Sequence, residues 1–204
     1  MHVFGTAIRT ALLAAILITG VGGTGLNSAA VAGPFERADA AYTAGEYAAA
    51  MGIWTVLADR GFARAQYNLG KMYFVGAGMP IDIAQSEKWW RMAAEQDHTA
   101  AQFNLGNLYY FGTGVSKDMV EAVKWYRRAA DQGYPRAQFN LGLMYSQGDG
   151  VPQDVVQSYK WWSLAAAQGD EDSGSNIAAA AKLMTPEQIA TAQRLASEWK
   201  INSR

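Results

Sequence analysis

The chain has 204 residues, half of them hydrophobic, with moderate charge and five prolines, a balance that suits a soluble helical array in one domain. A formal net charge of -1 gives no global basic footprint, so nucleic acid is not expected among its partners. The absence of cysteine excludes disulfides, thiolate metal sites, cysteine nucleophiles and lipid attachment through an N-terminal cysteine, so the fold must hold by packing alone.

Residues 1–32 have the order of a secretory signal: a short region carrying Arg9, an apolar stretch from Ala11 to about Thr19, and small residues ending in Ala30, Val31 and Ala32. Cleavage after Ala32 is expected, giving a periplasmic or secreted protein that begins at Gly33. An uncleaved anchor is the competing reading, but the apolar stretch is well short of the ~20 residues that span a bilayer, and no stable membrane insertion is expected after cleavage. Gly20, Gly22, Gly23 and Gly25 match a dinucleotide-binding pattern by letter. No strand precedes them, so the match carries nothing.

Residues 33–61 read as a shortened helical pair that caps the array, with Tyr42, a tight turn at Gly45 and Glu46, and Trp54 ahead of Gly61. Three 36-residue units follow, at 62–97, 98–133 and 134–169, and share the framework A-Q-x-N-L-G-x-x-Y-x-x-G-x-G-x-x-x-D-x-x-x-x-x-K-W-x-x-x-A-A-x-Q. Self-similarity at this period means stacked helical units rather than one closed core.

In the first helix of each unit, Ala65, Leu69 and Tyr73 form one apolar stripe, as do their counterparts from Ala101 and Ala137, and Gly70 removes a side chain where a neighbouring helix must come close. A Gly-x-Gly turn follows, then an aspartate. Asp82, Asp118 and Asp154, with Gln85, Glu121 and Gln157 at N3, predict reciprocal capping boxes, which makes these aspartates caps and not catalysts. The second helix carries Trp89, Trp125 or Trp161 ahead of an alanine pair. The fixed phase of this tryptophan within the repeat favours a core position over a sugar-binding platform, and its burial is worth roughly 3 kcal/mol. Trp90, Tyr126 and Trp162 sit where Trp54 sits in the cap; Gly133 and Gly169 end two of the second helices, and Asp97 replaces glycine in the first.

Residues 170–204 are expected to be C-terminal capping helices. Thr185, Pro186 and Gln188 supply an N-cap, a proline at N1 and a glutamine at N3, opening a helix with Ile189, Ala192, Ala196 and Trp199 on one face.

The framework resembles the Sel1-like repeat, a relative of the tetratricopeptide repeat, over residues 35–167. The resemblance implies an all-α fold, a right-handed α/α superhelix, and a non-catalytic adaptor that binds a protein or peptide. Exported bacterial members of the family are similar to factors in envelope signalling, host interaction and assembly of surface structures. Some cysteine-rich members are associated with β-lactam or peptidoglycan chemistry, which sets an enzyme as the alternative. This chain lacks their paired cysteines. Ser197 and Lys200 match S-x-x-K, but the S-D-N and K-T-G partners are absent. No catalytic group, cofactor or metal is expected, since His2 would leave with the signal and His98, at a helix junction, reads as structural or solvent-exposed.

By analogy with tetratricopeptide repeats, residues flanking the Leu-Gly-Tyr stripe would line a concave surface: Arg64, Tyr67, Asn68, Lys71 and Phe74, then Phe103, Asn104, Asn107 and Tyr110, then Arg136, Phe139, Asn140 and Leu143. An aromatic, an Asn and a basic or amide group on successive turns suit a peptide, whose backbone the amides bond and whose side chains the rings pack. The other reading is structural: the three Asn residues bond neighbouring helix ends, and the rings at 67, 103 and 139 fill the core between repeats.

Overall fold

The computed structural model describes residues 33–199; the expected signal at 1–32 and the end of the chain from residue 200 lie outside the described residues. Helices α1 (Pro34–Thr43) and α2 (Tyr47–Asp59) form the first, shortened hairpin. The three repeats are α3 (Ala63–Val75) with α4 (Ile83–Glu95), α5 (Thr99–Phe111) with α6 (Met119–Asp131), and α7 (Pro135–Gln147) with α8 (Val155–Ala166). Helices α9 (Glu171–Ala181) and α10 (Pro186–Glu198) close the array. Each helix packs chiefly on its neighbours in sequence, except that α10 folds back on α8. This is the all-α solenoid that the repeated framework predicts, with no strand among the described residues.

Local chemistry sets each helix boundary. The side chains of Asp82, Asp118 and Asp154 accept from the backbone N–H three residues on, at 2.9, 3.0 and 3.0 Å. Only half of the predicted box forms there, and the reciprocal bond is made at Thr185 and Gln188, where both side chains engage. Glu121 is drawn elsewhere, accepting from the Trp125 indole at 2.8 Å. Each first helix of the repeats ends on a glycine in the left-handed region, Gly76, Gly112 and Gly148 at φ 70, 69 and 78°, a conformation that costs an L side chain roughly 1 kcal/mol or more. His98 is itself an N-cap: its Nδ1 accepts from the Ala101 N–H at 3.3 Å, and its ring stacks on Tyr67 with centroids 4.6 Å apart. Burial holds its pKa below the ordinary imidazole value.

Within each repeat the two helices meet at a glycine and a ring. A Cβ at Gly70, Gly106 or Gly142 would stand 2.3, 2.5 or 2.5 Å from the ring of Trp90, Tyr126 or Trp162, so the missing side chain is what lets the aromatic lie flat on the helix. These rings are buried, and the indoles of Trp90 and Trp162 donate to the carbonyls of Tyr67 and Phe139 at 3.2 Å. The other aromatic series faces the preceding repeat. Trp125 and Trp161 are buried as predicted, but Trp89 is only partly so, because it packs on the shortened first hairpin. The core reading therefore holds fully for two of the three tryptophans and in part for Trp89.

A feature of the framework that sequence reasoning passed over ties the repeats together. Gln66, Gln102 and Gln138 are fully buried, and each donates to a carbonyl of the preceding hairpin, Ala58, Ala94 or Ala130, at 3.1, 3.0 and 3.1 Å. Each side-chain oxygen then accepts from Gln96, Gln132 or Gln168 at the end of its own repeat, at 2.7, 2.7 and 2.9 Å. A buried amide with both ends satisfied fixes the spacing and register of neighbouring hairpins, since any slip would strand polar groups in the core.

Candidate protein-interaction groove

The first helices of the repeats carry a chain of hollows. Between α3 and α5, Tyr67, Lys71 and Phe74 face Asn104, Asn107 and Phe111 across a cavity of about 370 Å³ floored by Trp90 and Leu108. Between α5 and α7, Tyr110 and Phe111 face Asn140 and Leu143 across about 250 Å³. Phe111 lines both, and at 69% exposure it is a large apolar ring left in water between them. A third hollow of about 420 Å³ lies between α7, α8 and α9, with Ser146, Trp162 and Leu183 in its wall.

The chemistry of the first hollow is one-sided. Among its lining residues Lys71 carries the charge, its ammonium 5.8 Å from the ring centroids of both Tyr42 and Tyr67, and no carboxylate lines the cavity. The Tyr126 hydroxyl donates to Asn107 Oδ1 at 2.7 Å, which leaves the Asn107 NH₂ as the group available to a ligand. Burial pushes the Tyr67 hydroxyl pKa up, Tyr134 adds to the rise, and a hydrogen bond with Asn104 opposes it. Burial likewise raises that of Tyr126, against a hydrogen bond with Asn140. Asn104 and Asn140 thus bond ring hydroxyls of the preceding repeat, rather than helix ends, while also lining the hollows.

Eight of the thirteen residues predicted for a partner face line these two hollows: Tyr67, Lys71, Phe74, Asn104 and Asn107 in the first, Tyr110, Asn140 and Leu143 in the second. The other five are placed elsewhere. Arg64 pairs with Asp39 on α1 and sits 4.9 Å over the Phe35 ring. Arg136 lies by a separate hollow of about 250 Å³ with Tyr134 and Asp170, at the junction of the third repeat with α9. Phe103 packs between the rings of Tyr126 and Tyr134, with centroids 5.9 and 5.0 Å away, and Phe139 packs into the C-terminal core. Asn68 is half-buried on α3. Phe111, Trp90, Leu108 and Thr113 were not foreseen in this lining. The signal for Phe111 was a third consecutive aromatic at the end of a helix whose stripe already had its apolar residues.

Among the described residues no cluster of His, Asp or Glu could hold a metal ion, and no helix is long and apolar enough to cross a membrane. The Ser197 hydroxyl donates to the Arg194 carbonyl at 2.8 Å on an exposed turn, and Lys200 lies outside the described residues.

The Sel1 repeat matches the chain at residues 63–98, 99–134 and 135–170, each one residue later than the units read from the framework. No curated protein matches. Among solved structures, a protective antigen present in uropathogenic Escherichia coli strains and displaying an SLR fold is 36% identical, with a TM-score of 0.66 over 75% of this chain and 33% of that one. A Sel1 repeat protein from Oxalobacter formigenes is 35% identical, with a TM-score of 0.67 over 70% of this chain and 59% of that one. The chain thus spans a third to somewhat over half of the length of these relatives. Sel1 repeats are protein-interaction scaffolds and are generally non-catalytic. Three consecutive matches over more than half its length establish that the chain belongs to the Sel1 repeat family.

Proposed function

We propose that the protein is an exported, non-catalytic adaptor that holds a protein or peptide partner in the groove formed by α3, α5 and α7. The observation that carries this reading is the pair of hollows joined at Phe111, a large ring in water beside amides and a single lysine. Exposed aromatics beside directed polar groups are the composition of interface anchors, and an extended segment would cover them while bonding the amides. Lys71, with no carboxylate in the same cavity, favours a partner that brings an acidic side chain. The order of residues 1–32 supports export to the periplasm or beyond, with envelope signalling or assembly of surface structures as the setting.

The test is capture from envelope extract by the mature protein. Asn104 also bonds within the scaffold, so the cleaner variant pairs Lys71→Ser with Phe111→Ser, both at positions that face the hollow. Capture should fall about tenfold with circular dichroism unchanged, while Lys117→Ser on the Gly-x-Gly turn leaves it intact. Retained capture by the double variant, with loss at Lys117, would move the working surface to the loop edge.

A further inference from the structure

The junction of repeats 2 and 3 keeps the cations of the junction before it and drops the two acids that pair with them there. At the junction of repeats 1 and 2, Arg91 pairs with Glu87 at 2.6 Å and with Glu121 at 3.7 Å, and the Tyr109 hydroxyl donates to Glu87 at 2.5 Å. Glu121 also accepts from Lys124 at 3.1 Å and from the Trp125 indole at 2.8 Å. Every donor there ends on one of two carboxylates.

Thirty-six residues on, Arg127, Tyr145, Lys160 and Trp161 repeat the donors, but Val123 and Gln157 stand where Glu87 and Glu121 stood. Arg127 donates to the Tyr145 hydroxyl, and its guanidinium lies 5.6 Å from that ring's centroid. Lys160 rests 4.2 Å from the centroid of Trp161. The indole N–H of Trp161, on a side chain 3% exposed, has no hydrogen-bond partner. Asp131 acts on both cations electrostatically but forms no ion pair within 4 Å with either among the described residues. Burial raises its pKa, against the pull of Lys160 and Arg127, and burial lowers that of Lys160, with Arg127 adding to the fall and Asp131 opposing it. Two cations against one carboxylate leave a surplus of positive charge beside an indole N–H that lacks an acceptor, whereas the preceding junction sets two carboxylates against its cations and its indole.

We propose that the α6–α8 side of this junction receives an acidic side chain of a protein partner, whose carboxylate bonds Arg127 and Lys160 in the role that Glu121 plays one repeat earlier. A single negative charge matches the surplus. The unpaired Trp161 N–H reports the same missing acceptor from the core side. This surface lies on the second helices, apart from the first-helix groove, and stands or falls without it.

The decisive variant is Gln157→Glu, which supplies the carboxylate from within. It places an acid at N3 of α8, in the first turn where the helix dipole favours one, so the fold is retained. Isothermal titration at low salt with hexaglutamate, and with hexaglutamine as control, reads the site. The wild-type protein should prefer hexaglutamate, Gln157→Glu should weaken it about tenfold, and the Trp161 indole proton should move downfield in the variant as it gains an acceptor. Because Lys71 also draws acidic side chains, Gln157→Glu is compared in the Lys71→Ser, Phe111→Ser background as well, where the tenfold weakening should persist. Equal binding by wild type and Gln157→Glu would overturn the inference, as would equal binding of both peptides. Absence of that weakening in the Lys71→Ser, Phe111→Ser background would also overturn it, while leaving the groove reading in place.

Discussion

The Gln132 side chain donates to Gln102 Oε1 at 2.7 Å, while the Gln102 amide donates to the Ala94 carbonyl at 3.0 Å, so one buried residue bonds the end of its own repeat to the end of the one before. Replacing Gln102 with Leu keeps most of the volume and removes both bonds. The Ala94 carbonyl keeps the Asp97 N–H as its donor and the exposed Gln132 amide turns to water, so the loss should cost about 1 to 2 kcal/mol, seen as a lower denaturant midpoint at unchanged slope. Gln147→Leu, at an exposed helix end, should shift the midpoint little. Equal midpoints for the two variants would show that the ladder contributes nothing.

Two helical glycines make an opposed pair. A Cβ at Gly106 would meet the Tyr126 ring at 2.5 Å, whereas one at Gly52 on α2 would meet nothing within 4 Å. Gly106→Ala should therefore destabilise by about 1 to 3 kcal/mol through overpacking. Gly52→Ala should stabilise by about 0.5 to 1 kcal/mol through helix propensity. Thermal midpoints moving in the same direction would contradict the packing described for Tyr126.

Much of this architecture is legible in the sequence. Hairpin boundaries followed from Asp82, Asp118 and Asp154 and from the Gly-x-Gly turns, because caps and left-handed glycines act locally and leave their mark in a short stretch of sequence. The glutamine ladder did not follow. Gln66 and Gln96 stand in the framework as plainly as Leu69 does, but a polar residue on a helix is first read as solvated, and its burial depends on a partner a whole hairpin away. The groove was half legible for a similar reason. Tyr67, Lys71 and Asn104 share it because they flank the apolar stripe, whereas Arg64 is drawn to Asp39 and Phe103 to Tyr134, choices made by side chains outside the repeat.

Trp125 and Trp89 occupy the same place in the framework but not the same environment, the first 2% exposed and the second only partly buried. Trp125→Ala should cost about 3 to 5 kcal/mol, because it opens a cavity between repeats and leaves Glu121 without the indole donor. Trp89→Ala should cost clearly less. Urea titration of the two variants checks the order, and a larger loss at Trp89 would place the main inter-repeat anchor in the wrong junction.

His98 ties stability to pH. Its folded pKa lies below the ordinary value because burial disfavours the cation, so the unfolded chain takes up the proton first as pH falls. The contribution is complete above about pH 6.5 and is lost as pH drops from there through the folded value. Protonation also converts the Nδ1 that caps α5 from acceptor to donor. His98→Asn, which keeps a cap but cannot titrate, should lose less thermal stability than the wild type between neutral pH and pH 5. Parallel curves for the two proteins would remove His98 from the account.

Phe111 and Val120 are almost equally exposed, at 69 and 66%, but only Phe111 lines the groove, while Val120 sits on the first turn of α6. A photo-crosslinking residue placed at each position in turn, in the protein from residue 33 onward exposed to envelope extract, compares the two surfaces directly. The account predicts a discrete crosslinked species from position 111 that fades with Lys71→Ser, and none from position 120. The same species from position 120, with none from 111, would contradict the groove as the surface that holds the partner.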